Sequence, residues 1–95
     1  MMSQDQFEKF KALLESNFEF PCVYLHKFIG SNSSIFKTSV EEFEKKFIGL
    51  KRISERQSAS GKHLSLTYEY QAANSDDVVL LLTETHKLND LIYVI

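Results

Sequence analysis

Residues 63–70 read His-Leu-Ser-Leu-Thr-Tyr-Glu-Tyr, and in them polar and apolar side chains alternate without a break. Alternation with a period of two is typical of a β-strand that buries one face. We expect the buried face to hold the apolar members of the stretch: Leu64, Leu66, Tyr68 and Tyr70. The segments before and after this strand complete a regular succession of strands and helices.

The segments before this strand predict a hairpin partner and a helix. Residues 58–62, Ser-Ala-Ser-Gly-Lys, are typical of a hairpin loop, and residues 50–58 carry the scattered charges of an exposed edge strand. Further upstream, apolar residues recur at helical spacing on one stripe, namely Phe36, Val40, Phe43 and Phe47. This stripe predicts a helix that ends near Gly49.

The first thirty residues predict a helix followed by a strand. Ser3 and Gln6 form a capping-box pattern ahead of apolar residues at helical spacing, which predicts a helix over residues 3–16. Residues 22–29 follow Pro21 and are rich in aromatic and β-preferring side chains, as strands are.

Beyond the alternating strand, the sequence predicts a third helix and a last strand. Asn74 or Ser75 caps the helix, and Asn89 is a stop signal after it. The apolar face of the helix holds Val78, Leu81, Leu82 and Thr85. Residues 91–95 are all apolar, which predicts a strand that is buried on both faces.

After the first helix, the order is strand, helix, strand, strand, helix, strand. Right-handed crossovers fold two such βαβ units into an α+β, ferredoxin-like antiparallel sheet with two helices on one face. The first and third strands are then central, although sequence alone leaves a different strand order open. We predict one domain over residues 1–95, with an extra N-terminal helix at 3–16 and the ferredoxin-like core at 18–95.

Composition supports a single compact domain and limits its environment. The chain has 95 residues, 43% of them hydrophobic, with three Gly and one Pro, which suits one core and no linker. Its one cysteine, Cys22, excludes an intramolecular disulfide. There is no apolar run of membrane-spanning length and no signal segment, so we expect a cytoplasmic protein without a membrane partner.

The chemically active side chains do not assemble into a predicted catalytic or metal site. Cys22 and His26 lie about 13 Å apart along the first strand, which is too far for one zinc ion. No carboxylate pair falls on a predicted pocket wall. We therefore expect no catalytic residue, metal or cofactor, and predict that the protein is not an enzyme.

RNA-recognition motifs share this order of elements, but they expose stacking aromatic side chains on the third strand. Here Tyr68 and Tyr70 share the core face, and Glu69 on the outer face would repel phosphate. The net charge of -2, with both signs scattered, also disfavours phosphate binding. We therefore predict no nucleic-acid partner.

The stretch from Pro21 to Gly30, Pro-Cys-Val-Tyr-Leu-His-Lys-Phe-Ile-Gly, and the later pattern Ser58-x-x-Gly61-Lys62-x-x-Ser65 resemble the YbeD-like family. These are small bacterial proteins known as a domain of unknown function, and the resemblance spans about residues 18–95. It implies a ferredoxin-like fold similar to ACT-type regulatory domains, with no established enzymatic activity. The sequence departs from the family at His26 and His63, where Tyr is common, and in its longer N-terminal helix.

Two groups of polar residues are candidate binding sites. The first is the loop between the first strand and the second helix: Gly30, Ser31, Asn32 and Ser33. Backbone N–H groups at a helix start hold anions, and by resemblance to ACT-type domains the loop would bind an effector amino acid. The structural alternative is that Gly30 makes the turn and Ser33 or Ser34 caps the helix.

The second group lies on the two central strands. Lys27 and Ser65 belong to the quoted family pattern and fall on the outer side of adjacent strands, with Lys62 at the nearby hairpin. They could bind an anion or contact a partner. The structural alternative is a salt bridge from Lys27 to Glu69 on the sheet surface.

The first and last strands are apolar on both sides, so the sheet face opposite the crossover helices needs a cover. Either the N-terminal helix lays Phe7, Phe10 and Leu14 there, or a protein partner or second copy does. We predict a non-enzymatic domain that acts by binding, through a protein partner and possibly as a homodimer. An ACT-like regulatory domain for a small effector is the alternative.

Overall fold

The structure, a computed structural model, describes residues 3–95; Met1 and Met2 of the predicted domain lie outside the described residues. The elements follow one another as α1 (Gln4–Asn17), β1 (Cys22–Ser31), α2 (Ser34–Lys45), β2 (Leu50–Gln57), β3 (His63–Ala72), α3 (Ser75–Thr85) and β4 (Leu91–Val94). The strands form one antiparallel sheet of order β2-β3-β1-β4. The ferredoxin-like prediction, with the first and third strands in the centre, is confirmed.

The helix starts follow the predicted caps. The amide of Gln6 donates to the Ser3 hydroxyl and the Ser3 amide donates to the Gln6 side chain, so the capping box is formed. Asn74 caps α3 by accepting from the amide of Asp77 at 3.0 Å. The helical stripe of α2 was expected to include Phe47, but the helix ends at Lys45. Phe47 is buried nonetheless, from the turn that leads into β2.

The core lies between the sheet and the helices α2 and α3 and is built largely of aromatic rings. Phe28 of β1 stacks on Tyr68 of β3 with ring centroids 5.4 Å apart, as the predicted face of β3 requires. Phe36 and Phe43 of α2 meet the Phe28 ring edge-on at 6.2 and 5.8 Å. These edge-to-face and stacked contacts stabilise the core beyond the area that the rings bury.

The N-terminal helix does not cover the outer face of the sheet, so that expectation was wrong. Helix α1 packs beside α3, where Leu14 is buried in the core and Lys11 pairs with Asp76 at 3.0 Å. With the outer face left uncovered, β4 is not buried on both faces as predicted. Ile92 and Tyr93 are 47% and 53% exposed.

Candidate binding surface

The outer face of the sheet carries a row of apolar side chains on β1 and β4. On β1 the residues of odd number face outward, because the even-numbered His26 and Phe28 are buried in the core. Ile29 lies opposite Tyr93 in the register. We call the outward apolar residues of these two strands the apolar strip: Val23, Leu25, Ile29, Tyr93 and Ile95.

Most of the apolar strip is exposed to solvent. Val23 is 48% exposed, Leu25 65% and Ile95 64%, and Ile29 is half-buried. Tyr93 is the one aromatic side chain that the described strands place on this face, since Tyr68 and Tyr70 are buried as predicted. The other half of the face, on β3 and β2, is polar.

The structure brings two of the predicted site residues onto this face. Lys27 lies opposite Thr67 and Ser65 lies opposite Ile29, so the two are diagonal neighbours. Lys27 stands between Leu25 and Ile29 of the apolar strip, and Ser65 lies beside the strip. Within residues 3–95 no ion pair joins Lys27 to Glu69. Lys62 sits apart in the hairpin loop, where its carbonyl accepts from the amide of Asn32 at 2.9 Å.

The other predicted site, Gly30 to Ser33, is held largely by bonds within the chain, although Oδ1 of Asn32 has no hydrogen-bond partner among the described residues. The Ser33 hydroxyl accepts from the amide of Phe36 at 3.1 Å as the N-cap of α2, and donates to the carboxylate of Asp90 at 2.9 Å. The amide of Ser31 donates to the carbonyl of Asp90 at 3.0 Å. The Asn32 side chain donates to the carbonyl of Gly61 at 2.9 Å.

Asp90 therefore places a carboxylate of the chain itself at the N-terminus of α2, where the helix dipole favours negative charge. Sequence reasoning missed this residue. The sequence held a signal, because Asp90 follows Asn89 directly after the predicted end of a helix. In the structure Asp90 has φ 62, a left-handed conformation that Asp and Asn adopt more readily than other side chains. The loop is thus an internally bonded junction of three connections.

Replacing Ser33 with alanine should remove both hydroxyl bonds and destabilise the protein by about 1 kcal/mol. For a domain of this size that corresponds to a fall in thermal midpoint of roughly 4–8 °C. Ser34→Ala, one residue on, is the matched control, because Ser34 is exposed and its side chain makes no hydrogen bond among the described residues. Equal midpoints for the two variants would contradict the capping role.

Two further polar groups lie inside the fold. His26 is buried, and its Nε2 donates to the Thr85 hydroxyl at 2.9 Å, since that hydroxyl in turn donates to the carbonyl of Leu81. Burial, with a smaller contribution from the nearby His86, lowers the pKa of His26 to about 4. The imidazole is therefore a neutral packing group near pH 7.

Between α2 and β2 lies a shallow cavity of about 200 Å³, lined by Lys37, Val40, Glu41, Arg52, Glu55, Leu64 and Leu66. The Arg52 guanidinium at its edge is held by Glu44 at 2.6 Å and by Glu55 at 2.7 Å. Tyr68 donates to the same Glu44 carboxylate at 2.6 Å, and burial together with this bond raises the pKa of Tyr68. The Arg52 charge at this cavity is thus paired with two carboxylates.

The described part of the chain shows neither a cluster of metal-binding side chains nor a membrane-spanning helix. In residues 3–95, no three His, Cys, Asp or Glu side chains are grouped so that they could hold a metal ion. None of the helices in that range is both long and apolar enough to span a membrane.

Comparison with known proteins places the chain among relatives of unknown function. Residues 15–95 match the model of a family described as protein of unknown function (DUF493). The solution structure of protein HP0495 from H. pylori is similar, with a TM-score of 0.62 over 82% of this chain and 85% of that chain. The two sequences are 15% identical, so the likeness shows the fold alone. No curated protein matches significantly.

Proposed function

Since the chain belongs to the DUF493 family, the YbeD-like proteins of unknown function, we propose from its surface that it is a non-enzymatic binding domain. Its protein partner docks on the apolar strip. The observation that carries this proposal is the position of α1, which packs on α3 and leaves the apolar strip in solvent.

The energetics of burial support such docking. Covering one exposed Val, Leu or Ile side chain contributes about 1.5–3 kcal/mol when it is fully buried. Contiguous exposed apolar side chains with a polar margin are typical of protein–protein contact sites. Here Leu25 and Tyr93 are exposed in the strip, Ser65 lies along its margin, and Lys27 stands between Leu25 and Ile29 within it.

The charges of the outer face favour a partner other than a second copy laid face to face. The register of β2 on β3 places Lys51 and Arg56 on the same face as Lys27, with Glu69 as the only carboxylate among the outward strand residues described. The face is thus net positive on a chain of net charge -2. Two such faces would repel each other, whereas carboxylates on a different partner would be attracted.

The effector alternative has no comparable support. The helix N-terminus that would hold an anion already faces the Asp90 carboxylate through Ser33. The amides of Ser31 and Asn32 are also bonded within the chain. We therefore do not propose a small-ligand site at this loop.

A pair of matched leucine variants tests the proposal. A photo-crosslinking residue placed at Leu25 in cells should yield an adduct with one protein, which is then purified and its affinity measured by calorimetry. Leu25→Glu should weaken that binding about tenfold or more, equivalent to about 1.4 kcal/mol. Leu13→Glu is the control, because Leu13 is 60% exposed on α1, away from the sheet face.

The outcomes separate the possible occupants. Equal loss in Leu25→Glu and Leu13→Glu, or no adduct at Leu25, would contradict docking on the apolar strip. Light scattering of the wild-type chain checks the predicted homodimer. If the chain is a dimer and Leu25→Glu converts it to a monomer, the occupant of the apolar strip is a second copy and not a different protein. An adduct with RNA instead of protein would overturn the predicted class of partner.

A further inference from the structure

The polar half of the outer face has one cation on each side of β3. Lys27 of β1 lies opposite Thr67, and Arg56 of β2 lies opposite Ser65. Side chains that lie opposite each other in an antiparallel pair stand on the same side of the sheet. Lys27 and Arg56 therefore share the outer face with the hydroxyls of Ser65 and Thr67. We call these four residues the outer polar cluster.

The spacing of the outer polar cluster suits one small ligand. The Cα atoms of Lys27 and Arg56 are two strands apart across the sheet and two residues apart along it, which amounts to roughly 12 Å. Extended Lys and Arg side chains each span about half of that distance. Ser65 and Thr67 lie between them on β3. The two charged groups can thus meet above the two hydroxyls.

The side chains of the outer polar cluster have no polar partner within residues 3–95. Ion pairs hold five other cations of the described chain, namely Lys9, Lys11, Lys46, Arg52 and Lys87. Lys27 and Arg56 form no ion pair there, and the hydroxyls of Ser65 and Thr67 form no hydrogen bond. The cluster therefore presents two cations and two hydroxyl donors to an outside group.

The carboxylate on this face stands opposite a third cation. Glu69 is two positions beyond Thr67 on β3, about 7 Å along the strand, and lies opposite Lys51. The outward charges of the described strands are thus three positive against one negative. A nucleic acid, whose phosphates follow one another along a chain, would meet Glu69 as well, whereas a single anionic group at the cluster would not.

The row of side chains that contains Ser65 continues onto the apolar strip. Ser65 lies opposite Ile29, and Ile29 lies opposite Tyr93, which is 53% exposed. An anionic group at the outer polar cluster thus has an apolar surface beside it, one strand spacing or about 5 Å away. A molecule that joins an anionic group to an apolar or aromatic group fits both parts.

We propose that the outer polar cluster binds a phosphate monoester whose ester group rests on Ile29 and Tyr93. At pH 7 such a phosphate carries nearly two negative charges and three strong acceptor oxygens, which matches two cations and two hydroxyl donors. Arg binds phosphate through two parallel N–H donors, and Lys binds it as a point charge. A carboxylate or a phosphodiester carries a single charge and would use half of the cluster. The inference goes beyond the proposed function, because it needs no protein partner.

The test adds phenyl phosphate to the full ¹⁵N-labelled chain at constant ionic strength. The amide signals of Ser65 and Thr67 should shift to a saturating value, which gives a Kd. Inorganic phosphate should bind about threefold or more weakly, because it lacks the ring that lies on Ile29 and Tyr93. Benzoate and methyl phenyl phosphate, a diester, carry one charge each and should bind about tenfold or more weakly.

Variants with one cation removed make the test specific. Lys27→Gln and Arg56→Gln should each raise the Kd for phenyl phosphate about tenfold. Lys51→Gln is the matched control, because Lys51 is an exposed cation of the same face that lies opposite Glu69, outside the cluster. It removes the same charge and should change the Kd by less than about twofold. The amide spectra also verify that each variant is folded.

Several results would overturn the inference. Equal weakening by Lys51→Gln and Arg56→Gln would show that only the general positive charge of the face attracts the phosphate. Shifts that do not saturate, or equal binding of benzoate and phenyl phosphate, would also contradict the site. Absence of binding leaves docking on the apolar strip unaffected, because Leu25→Glu tests that proposal separately.

Two forms of phosphotyrosine distinguish the sources of the phosphate monoester. One is the free amino acid, and the other is a peptide in which two leucines flank phosphotyrosine on each side. Both should bind to the wild-type chain and lose affinity in Arg56→Gln. Tighter binding of the peptide would assign the phosphate to a modified protein, and equal binding would assign it to a small molecule. Absence of binding by both forms would contradict the site.

Discussion

Replacing Gly30 with alanine is expected to lower the free energy of unfolding by about 1–3 kcal/mol, the usual cost of overpacking a core. A Cβ atom at this position would lie 2.2 Å from Cε1 of Phe36 and 2.4 Å from its Cζ. The Phe36 ring has no room to withdraw, because it is fully buried against the edge of Phe28. Gly30 is thus required by the packing of a ring from the next helix.

Chemical denaturation of the single and double variants measures this directly. Phe36→Leu alone should destabilise the protein by leaving a cavity. In the double variant Gly30→Ala, Phe36→Leu, the smaller side chain makes room for the new methyl, so the combined loss should be less than the sum. Strict additivity would show that the clash with Phe36 is not the cause. Because Gly30→Ala is expected to destabilise the fold, this substitution is a poor test of ligand binding.

Acidification should destabilise the protein through His26. Its pKa is lowered from 6.5 to about 4 by burial in the folded state. Between these values the unfolded chain binds a proton that the folded protein does not, so stability falls as the pH falls through that window. From pH 7.5 to pH 5 we expect a loss of about 2 kcal/mol, or a fall in thermal midpoint of roughly 8–16 °C.

A comparison of variants isolates this contribution from the titration of carboxylates. His26→Gln cannot take up the proton, so its midpoint should fall much less between the same two pH values. His63→Gln is the control, because His63 is exposed on the outer side of β3 and should leave the wild-type dependence unchanged. If His26→Gln keeps the full dependence, the acid sensitivity arises elsewhere.

The order and pairing of the core elements could be predicted from the sequence because the spacing of apolar residues in each element shows which of its faces is buried. The alternation at 63–70 fixes the inward side of β3, and the position of β1 follows from right-handed crossovers. The place of α1 could not be predicted in this way. Its short stripe of Phe7, Phe10 and Leu14 fits any apolar surface. The ion pair of Lys11 with Asp76, in the first turn of α3, is a contact between residues far apart in the sequence.

The candidate sites also differ in how far the sequence could predict them. The alternation of side chains along a strand placed Lys27 and Ser65 correctly on the outer face. The sequence suggested that the polar groups of Gly30 to Ser33 are free to bind a ligand. It shows which polar groups the loop contains, but not which distant residue forms hydrogen bonds with them. Here that residue is Asp90, fifty-seven positions beyond Ser33.

The bond of Asp90 to Ser31 and the exposed Val23 of the apolar strip lie towards opposite ends of β1, about eight residues or roughly 26 Å of strand apart. Substitutions that alter recognition near Val23 therefore leave the junction of loops around Ser33 undisturbed. Such a layout lets partner choice diverge during evolution at little cost to foldability. Among relatives, we expect the Cys22 end of this strand to vary with the partner, and the Ser31 end to vary only with compensating changes at Asp90.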